Sequence, residues 1–62
     1  MMKVKSERNE YGWIYYAEVD RINETYKTFH SKDDIDGYEE VSGYLAMMIV
    51  NMGVNLGYKK VA

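Results

Sequence analysis

The sequence predicts an α+β domain in which a three-stranded antiparallel meander is followed by one long C-terminal helix, in the order βββα. Three observations support this prediction. Residues 11–22 alternate in the manner of a strand, and short polar turns separate three strand-like segments. Residues 38–58 are the longest stretch that is apolar at helical spacing. With 62 residues, we expect residues 1–62 to form a single domain.

The predicted strands cover residues 2–8, 11–21 and 25–30. The first strand carries one strong apolar residue, Val4, between lysines, and this pattern is typical of a short edge strand. Polar residues separate the second strand from the third, and among them Asn23 tolerates the left-handed conformation of tight turns. Short connections between consecutive strands favour antiparallel pairing.

The second strand carries apolar residues at its odd positions, and this face is expected to cover the core. Trp13 and Tyr15 are its largest members. On the opposite face, Ile14 and Tyr16 make the first half of the strand apolar as well. We therefore expect an aromatic patch on the outer surface of the sheet.

The helix is predicted over residues 36–57. Asp36 with Glu39 three residues later fits a capping box at its start, and Ser31 is an alternative N-cap. Gly57, followed by two lysines, matches the usual signal for the end of a helix.

Two stripes of residues run along this helix, roughly 110° apart at helical rotation. The large stripe consists of Leu45, Met48, Ile49, Met52 and Leu56. The small stripe consists of Gly43, Ala46, Val50, Gly53 and Gly57. A single small sheet covers one stripe only, so the other is expected to contact a second chain.

A chain this small usually needs an additional source of stability, and the composition excludes disulfides and a histidine-rich metal site but not self-association. A chain of this size buries only about 60% of its unfolded surface. It has no cysteine for disulfides and one histidine, which cannot build a histidine-rich metal site. We therefore expect a homodimer joined through the helix. The small stripe is the preferred contact, because small residues let helices approach closely while large residues fill the space over the sheet. The alternative places the small stripe under Trp13 and Tyr15 and the large stripe in the dimer contact.

An acidic segment precedes the apolar part of the helix and contains Asp33, Asp34, Asp36, Glu39 and Glu40. It does not fit a calcium loop, because Lys32 and Gly43 occupy positions that require carboxylates. These acids are expected either to complement the helix dipole or to dock on the basic surface of a partner. Two tyrosines expected on outer faces, Tyr16 and Tyr44, are further candidates for partner binding.

Catalysis is not expected from this sequence. His30 with Asp33 or Asp34 could act as an acid–base pair, but no nucleophile motif or phosphate-binding loop supplies the remaining roles. The apolar run at residues 44–50 is shorter than the ~20 residues of a membrane span. The cysteine-free composition and the absence of a secretory signal fit the cytoplasm. We therefore expect a non-enzymatic cytoplasmic protein with no cofactor or metal.

Residues 12–31, GWIYYAEVDRINETYKTFHS, resemble the aromatic strand, turn and second strand of small DNA-binding domains at the N-termini of some phage-type integrases. The resemblance implies a sheet-plus-helix fold and a sheet face that reads DNA through lysine and arginine. This segment carries Arg21 and Lys27 against three acids. A nucleic-acid-binding module that uses the sheet is therefore the alternative function.

In its size, lack of cysteine, seven tyrosines and local acidic segment, the chain is similar to small accessory proteins with which phages block host defence, including anti-CRISPR proteins. This likeness implies a protein that binds and blocks an unidentified protein partner, in the host cytoplasm if the chain is phage-encoded. Together with the helix pattern, it predicts a non-enzymatic homodimeric inhibitor.

Overall fold

The computed structural model of the chain describes residues 1–61. Its elements, in chain order, are β1 (Met2–Lys5), β2 (Ile14–Asp20), β3 (Thr25–Ser31), β4 (Glu39–Glu40), α1 (Gly43–Asn55) and β5 (Lys59–Lys60). The strands of this part of the chain form one mixed sheet in the order β4-β1-β2-β3-β5, and α1 packs against it. The predicted α+β class is confirmed.

The three central strands form the antiparallel meander that the sequence predicts. β1 pairs with β2 from Met2↔Val19 to Lys5↔Tyr16. β2 pairs with β3 along its whole length, ending at Asp20↔Thr25. The turn between β2 and β3 is held by Asp20, whose carboxylate accepts hydrogen bonds from the backbone and side chain of Asn23.

Residues 6–13 form a loop rather than the ends of two longer strands. The side-chain oxygen of Asn9 accepts hydrogen bonds from the N–H groups of Tyr11 and Trp13, each at 2.9 Å. Gly12 adopts a φ of +90°, which lies outside strand geometry and favours glycine. The first two predicted strands therefore extend too far into this loop. Side-chain hydrogen bonds of Ser6 and Asn9 take over part of the ladder there, beside two backbone bonds, from the N–H of Ser6 to the carbonyl of Tyr15 and from the N–H of Asn9 to the carbonyl of Trp13.

Two short edge strands extend the meander. β4 pairs in parallel with β1, and the N–H of Val41 then donates to the carbonyl of Lys5 at 2.8 Å. β5 pairs in parallel with β3, and the N–H of Val61 donates to the carbonyl of Tyr26 at 2.8 Å. The predicted three-stranded sheet is therefore incomplete.

The helix begins at Gly43 and not at residue 36. Ser42 is the N-cap, and its side chain accepts a hydrogen bond from the N–H of Leu45 at 3.1 Å. Asp36 lies in a turn instead, and Glu39 belongs to β4. The expected capping box is therefore wrong, because pairing with β1 keeps the backbone before Ser42 extended.

The helix ends at Asn55, two residues before the predicted end at residue 57, and Gly57 forms the turn that follows it. Gly57 adopts a φ of +83°, and its N–H donates to the carbonyl of Val54 at 3.0 Å. The next N–H, of Tyr58, donates to the carbonyl of Gly53 at 2.9 Å. These bonds satisfy carbonyls of the last turn, and the left-handed glycine directs the chain into β5.

The helix packs its small residues against the sheet. Ala46 is 0% exposed and Val50 is 8% exposed, and both belong to the core cluster with Val4 and Ala17. Gly53 is also buried. The expectation that these three helix residues contact another chain is therefore wrong, and the alternative, with the small stripe on the sheet, is the observed orientation. Of the large stripe, Ile49 packs against the core cluster and the other four residues are exposed.

The reason for this orientation is that the sheet supplies the bulk. Tyr15 and Tyr26 pack against the core cluster from the sheet side, and small helix residues let the helix backbone approach them. Trp13, expected in the core, is 42% exposed. The two outer glycines of the small stripe, Gly43 and Gly57, lie exposed at the ends of the helix.

Both faces of β2 are covered. Tyr15, Ala17 and Val19 lie on the helix side, while Ile14 and Tyr16 lie on the other side and are buried as well. The buried apolar residues of the described chain are Val4, Ile14, Tyr16, Ala17, Val19, Ala46 and Val50. The predicted outer aromatic patch is therefore wrong, because the segment between β3 and β4 covers it.

Candidate functional site

The solvent-facing side of α1 is mostly apolar and also carries the exposed amides of Asn51 and Asn55. Its large residues are between 43% and 76% exposed. They are Tyr44, Leu45, Met47, Met48, Met52, Val54 and Leu56, and we call this set the outer helix surface. No charged residue occurs between Val41 and Tyr58. Surface helices usually carry charged residues on the outward face, so this surface is unusual for a side that meets water.

The outer helix surface is large for a domain of this size. If a fully exposed large side chain offers about 200 Å², these seven residues expose roughly 800 Å² at their observed fractions, of which Leu45, Met48, Met52 and Leu56 expose roughly 430 Å². The largest apolar patch of a typical monomer is about 300–600 Å². Each partner in a standard protein–protein interface contributes about 800 Å².

Two grooves lie beside the contact between the helix and the sheet, one near each half of the helix. One, of about 270 Å³, lies beside the C-terminal half of the helix and is lined by Met2, Val19, Arg21, Ile49, Met52, Gly53, Leu56 and Tyr58. The other, of about 370 Å³, lies beside the N-terminal half and is lined by Ser6, Tyr15, His30, Gly43 and Met47. Met52 and Leu56 belong to the first groove and to the outer helix surface, so the two form one continuous apolar region.

The segment 32–38 crosses the sheet on the face opposite the helix and is anchored by the hydroxyl of Tyr16. This hydroxyl donates to the carbonyl of Asp33 at 2.5 Å and accepts from the N–H of Ile35 at 2.9 Å. Tyr16 is 0% exposed. The prediction that it binds a partner directly is therefore wrong, since the segment 32–38 covers it.

An aromatic cluster lies beneath this segment. The ring of Tyr16 stacks on Phe29 with 4.9 Å between centroids, and Tyr38 meets Tyr16 edge-on at 4.8 Å. Two lysines lie over the outer rings, with Lys3 at 4.6 Å from Tyr38 and Lys27 at 5.4 Å from Phe29. Sequence reasoning missed this cluster, because Tyr38 is brought to the sheet only by the path of the segment.

The hydroxyl of Tyr38 is held by a carboxylate. It donates to Glu18 at 2.5 Å. Burial, followed by this hydrogen bond and the charge of Glu18, raises the pKa of Tyr38 to about 12. The phenol therefore stays protonated at neutral pH. Its hydrogen bond to Glu18 holds the ring of Tyr38 at the edge of the aromatic cluster.

The acids of the predicted patch are all exposed: Asp33, Asp34, Asp36, Glu39 and Glu40. Asp34 accepts a hydrogen bond from the ammonium group of Lys5 at 2.5 Å. This contact lowers the pKa of Asp34 and raises the pKa of Lys5. Within residues 1–61 the other four acids form no salt bridge.

The predicted partner-binding residues lie in two separate places. The acidic segment, residues 33–40, runs over the face opposite the helix and ends in the edge strand β4. Tyr44, in contrast, belongs to the outer helix surface and is 76% exposed. The described chain therefore offers one acidic and one apolar surface, on different sides of the sheet.

The candidate acid–base pair of His30 with Asp33 or Asp34 is not formed. His30 contacts Tyr15 with 5.1 Å between ring centroids, on the helix side of the sheet. Within residues 1–61 no hydrogen bond joins His30 to Asp33 or Asp34. His30 instead lines the groove beside the N-terminal half of the helix.

Positive charge on the sheet face opposite the helix is interrupted by a carboxylate. In the strand register, Glu18 lies between Lys3 on β1 and Lys27 on β3. A DNA-binding sheet needs several lysines or arginines that neutralise phosphates. This face alternates in sign instead.

Comparisons with protein-family models, with curated proteins and with solved structures found no match to this chain. Within residues 1–61, no three His, Cys, Asp or Glu side chains are grouped in a way that could hold a metal ion. The helix of this part of the chain falls short of the length and apolar character needed to cross a membrane.

Proposed function

We propose that this protein is a non-enzymatic homodimeric interaction module that binds and blocks a protein partner. The observation that carries the proposal is the outer helix surface, a set of seven exposed apolar residues on an uncharged helix. Water around such a surface is released when a second apolar surface covers it. Covering this side of the molecule with a partner is therefore favourable.

The contact that we propose is made by the large stripe of two copies. Leu45, Met48, Met52 and Leu56 follow one another at three- or four-residue spacing and form a ridge on the helix. The groove beside the C-terminal half of the helix can receive the ridge of the second copy. A two-fold axis then brings identical surfaces together, as in most homodimers.

A second copy suits this surface because neither helix brings a charge, and Arg21, the charged residue that lines the groove, is exposed. The helix carries none between Val41 and Tyr58, and burying an unpaired charge against it would cost several kcal/mol. Asn51 and Asn55 lie near the ridge and supply polar groups at its margin. In a contact between two copies, the apolar ridge of one helix meets the apolar ridge of the other, and the asparagines lie at the margin of both.

The acidic segment is the proposed site for the blocked partner. Asp33, Asp36, Glu39 and Glu40 are exposed and form no salt bridge within residues 1–61. Their carboxylates are therefore free to meet arginine and lysine on another protein. Residues 33–38 lie on the side of the sheet opposite the helix, and Glu39 and Glu40 lie at the sheet edge in β4, so the segment is outside the proposed helix contact. The likeness to small phage accessory proteins supports inhibition as the outcome of this binding.

Sedimentation or light scattering at micromolar concentration tests the dimer. Met47 and Met52 provide a matched pair, because each is 57% exposed and they lie about 140° apart around the helix. We expect the wild type to dimerise, Met52→Glu to be a monomer with native circular dichroism, and Met47→Glu to remain a dimer. A monomeric wild type would refute the proposal, and equal effects of both substitutions would refute the proposed ridge.

Neutralising acids tests the second surface. Asp33→Asn, Asp36→Asn and Glu40→Gln together remove three negative charges from the segment. The matched control is Glu7→Gln, Glu10→Gln and Glu24→Gln, which removes three exposed charges elsewhere.

The immobilised protein is mixed with a lysate of its native host, and captured proteins are identified by mass spectrometry. We expect one basic protein to be retained by the wild type and the control but lost by the segment variant. Equal retention by all three would contradict the role of the segment.

Nucleic-acid binding through the sheet is the alternative. In its favour, Lys3 and Lys27 lie over aromatic rings on the face opposite the helix, an arrangement that can combine stacking with phosphate contacts. Titration against labelled DNA separates the two functions. Binding at low salt that weakens steeply as salt rises would favour the alternative.

A further inference from the structure

All five methionines of the chain lie outside the core. They are between 41% and 74% exposed: Met1, Met2, Met47, Met48 and Met52. Methionine usually fills space inside a protein, whereas here the buried residues are Val, Ile, Ala and Tyr. The chain has no cysteine, so thioethers are its only sulfur groups. An oxidant can therefore reach every sulfur-bearing side chain without opening the fold.

Two of these methionines form the middle of the proposed dimer contact. Met48 and Met52 are one helical turn apart in the large stripe, between Leu45 and Leu56. In the free chain each is about half exposed. We propose that oxidation of Met48 and Met52 to methionine sulfoxide dissociates the homodimer and leaves the fold intact. This inference rests on the proposed function, since it concerns the contact between two copies.

The oxidant is a peroxide, and the reaction balances with hydrogen peroxide alone. A sulfur lone pair attacks one peroxide oxygen, the O–O bond breaks and an S–O bond forms. The sulfur loses two electrons, the peroxide is reduced, and one molecule of water leaves after proton transfer. The step takes place on free chains that exchange with the dimer. Methionine sulfoxide reductases reverse it.

The product does not suit the contact. A sulfoxide oxygen is a strong hydrogen-bond acceptor that holds water, and Leu45 and Leu56, which flank the two methionines along the ridge, have no donor to replace that water. Asn51 and Asn55 carry amide donors, but they lie at the margin of the ridge and are exposed. Because the contact has two-fold symmetry, each oxidised position occurs twice. The core contains no methionine, so the same change does not disturb the packing of α1 on the sheet.

Met47 is an internal control. It is as exposed as Met52, at 57%, but lies about 140° away on the opposite flank of the helix. A sulfoxide at Met47 remains in water in both the free chain and the dimer. Its oxidation is therefore not expected to change association.

The test compares three proteins before and after hydrogen peroxide: the wild type, Met47→Leu, and the double variant Met48→Leu with Met52→Leu. Mass spectrometry of peptides locates each added oxygen, and sedimentation measures the dimer dissociation constant. We expect oxidation to raise this constant at least about tenfold in the wild type and in Met47→Leu. The double variant should remain a dimer, and sulfoxide reductases should restore the wild type.

Each opposing result overturns the inference in a recognisable way. If the oxidised wild type keeps its dissociation constant, or if the double variant dissociates equally, oxidation at these two positions does not control the dimer. If circular dichroism shows unfolding of the oxidised wild type, the effect is structural. A wild type that is monomeric before oxidation would overturn both this inference and the proposed dimer.

Discussion

Replacing Tyr16 by phenylalanine should loosen the segment 32–38. The side chain is fully buried, and its hydroxyl bonds to the carbonyl of Asp33 and to the N–H of Ile35. Phenylalanine keeps the ring that stacks on Phe29 at 4.9 Å between centroids. The substitution therefore removes the two hydrogen bonds and little else.

The magnitude follows from those two bonds. A hydrogen bond contributes about 0.5–1.5 kcal/mol, and a polar group left without a partner costs about 1–3 kcal/mol when buried. Asp33 is exposed, so water can replace the bond to its carbonyl, whereas Ile35 is half-buried. We expect a loss of about 2 kcal/mol in the free energy of unfolding, which lowers Tm by about 10 °C in a domain of this size.

Urea unfolding at a fixed protein concentration measures this loss, and Tyr44→Phe is the control because its hydroxyl is exposed. Hydrogen exchange at the amide of Ile35 should accelerate in Tyr16→Phe only. A loss below about 0.5 kcal/mol, the usual effect of a neutral surface substitution, would refute the anchoring role of the hydroxyl. Unchanged exchange at Ile35 would refute it as well.

Two further predictions concern the helix and the aromatic cluster. A Cβ atom at Gly53 would lie 3.3 Å from the ring of Tyr58, so Gly53→Leu should lower the free energy of unfolding by about 1–3 kcal/mol through overpacking; an unchanged thermal melt would contradict the helix orientation. The pKa of Tyr38 is raised to about 12, so its stabilising effect is complete below about pH 10, the pKa of an unfolded tyrosine, and is lost as pH rises towards 12. In thermal melts, the Tm of Tyr38→Phe should therefore fall less than the Tm of the wild type as pH rises from about 10 to 12.

The parts of the fold that the sequence predicts well are those with a local cause. Alternation over β2 and the turn residues before β3 locate the meander, and β3 ends within one residue of the prediction. Gly57 marks the end of the helix through its own backbone conformation. Each of these depends on neighbours in the chain and can be derived from short-range patterns.

The parts that could not be predicted depend on distant pairing. β4 and β5 contain two residues each, which is too short for any periodic pattern, and they exist because they pair with β1 and β3. The pairing of β4 also delays the start of the helix to Gly43. Tyr16 has the alternation of an outward residue and is buried only because the segment 32–38 returns over it.

The candidate site was predictable in part. The acids of residues 33–40 are exposed, as their charge implies, and both helix stripes follow from periodicity. Which stripe faces the sheet depends on the bulk that the sheet offers, and Tyr15 and Tyr26 provide that bulk. The helix carries both a large stripe and a small stripe, so only the packed structure shows which of the two faces the sheet.

The absence of charge between Val41 and Tyr58 has a practical consequence for solution conditions. All 8 basic and 10 acidic residues lie outside this stretch, so the proposed dimer contact and the proposed docking of the acidic segment should respond to salt in opposite ways. Sulfate strengthens the burial of apolar surface, whereas added ions of any kind screen the attraction between the acidic segment and a basic partner. If the proposed function holds, buffers rich in sulfate favour the dimer without its partner, and dilute buffers favour the complex with the partner.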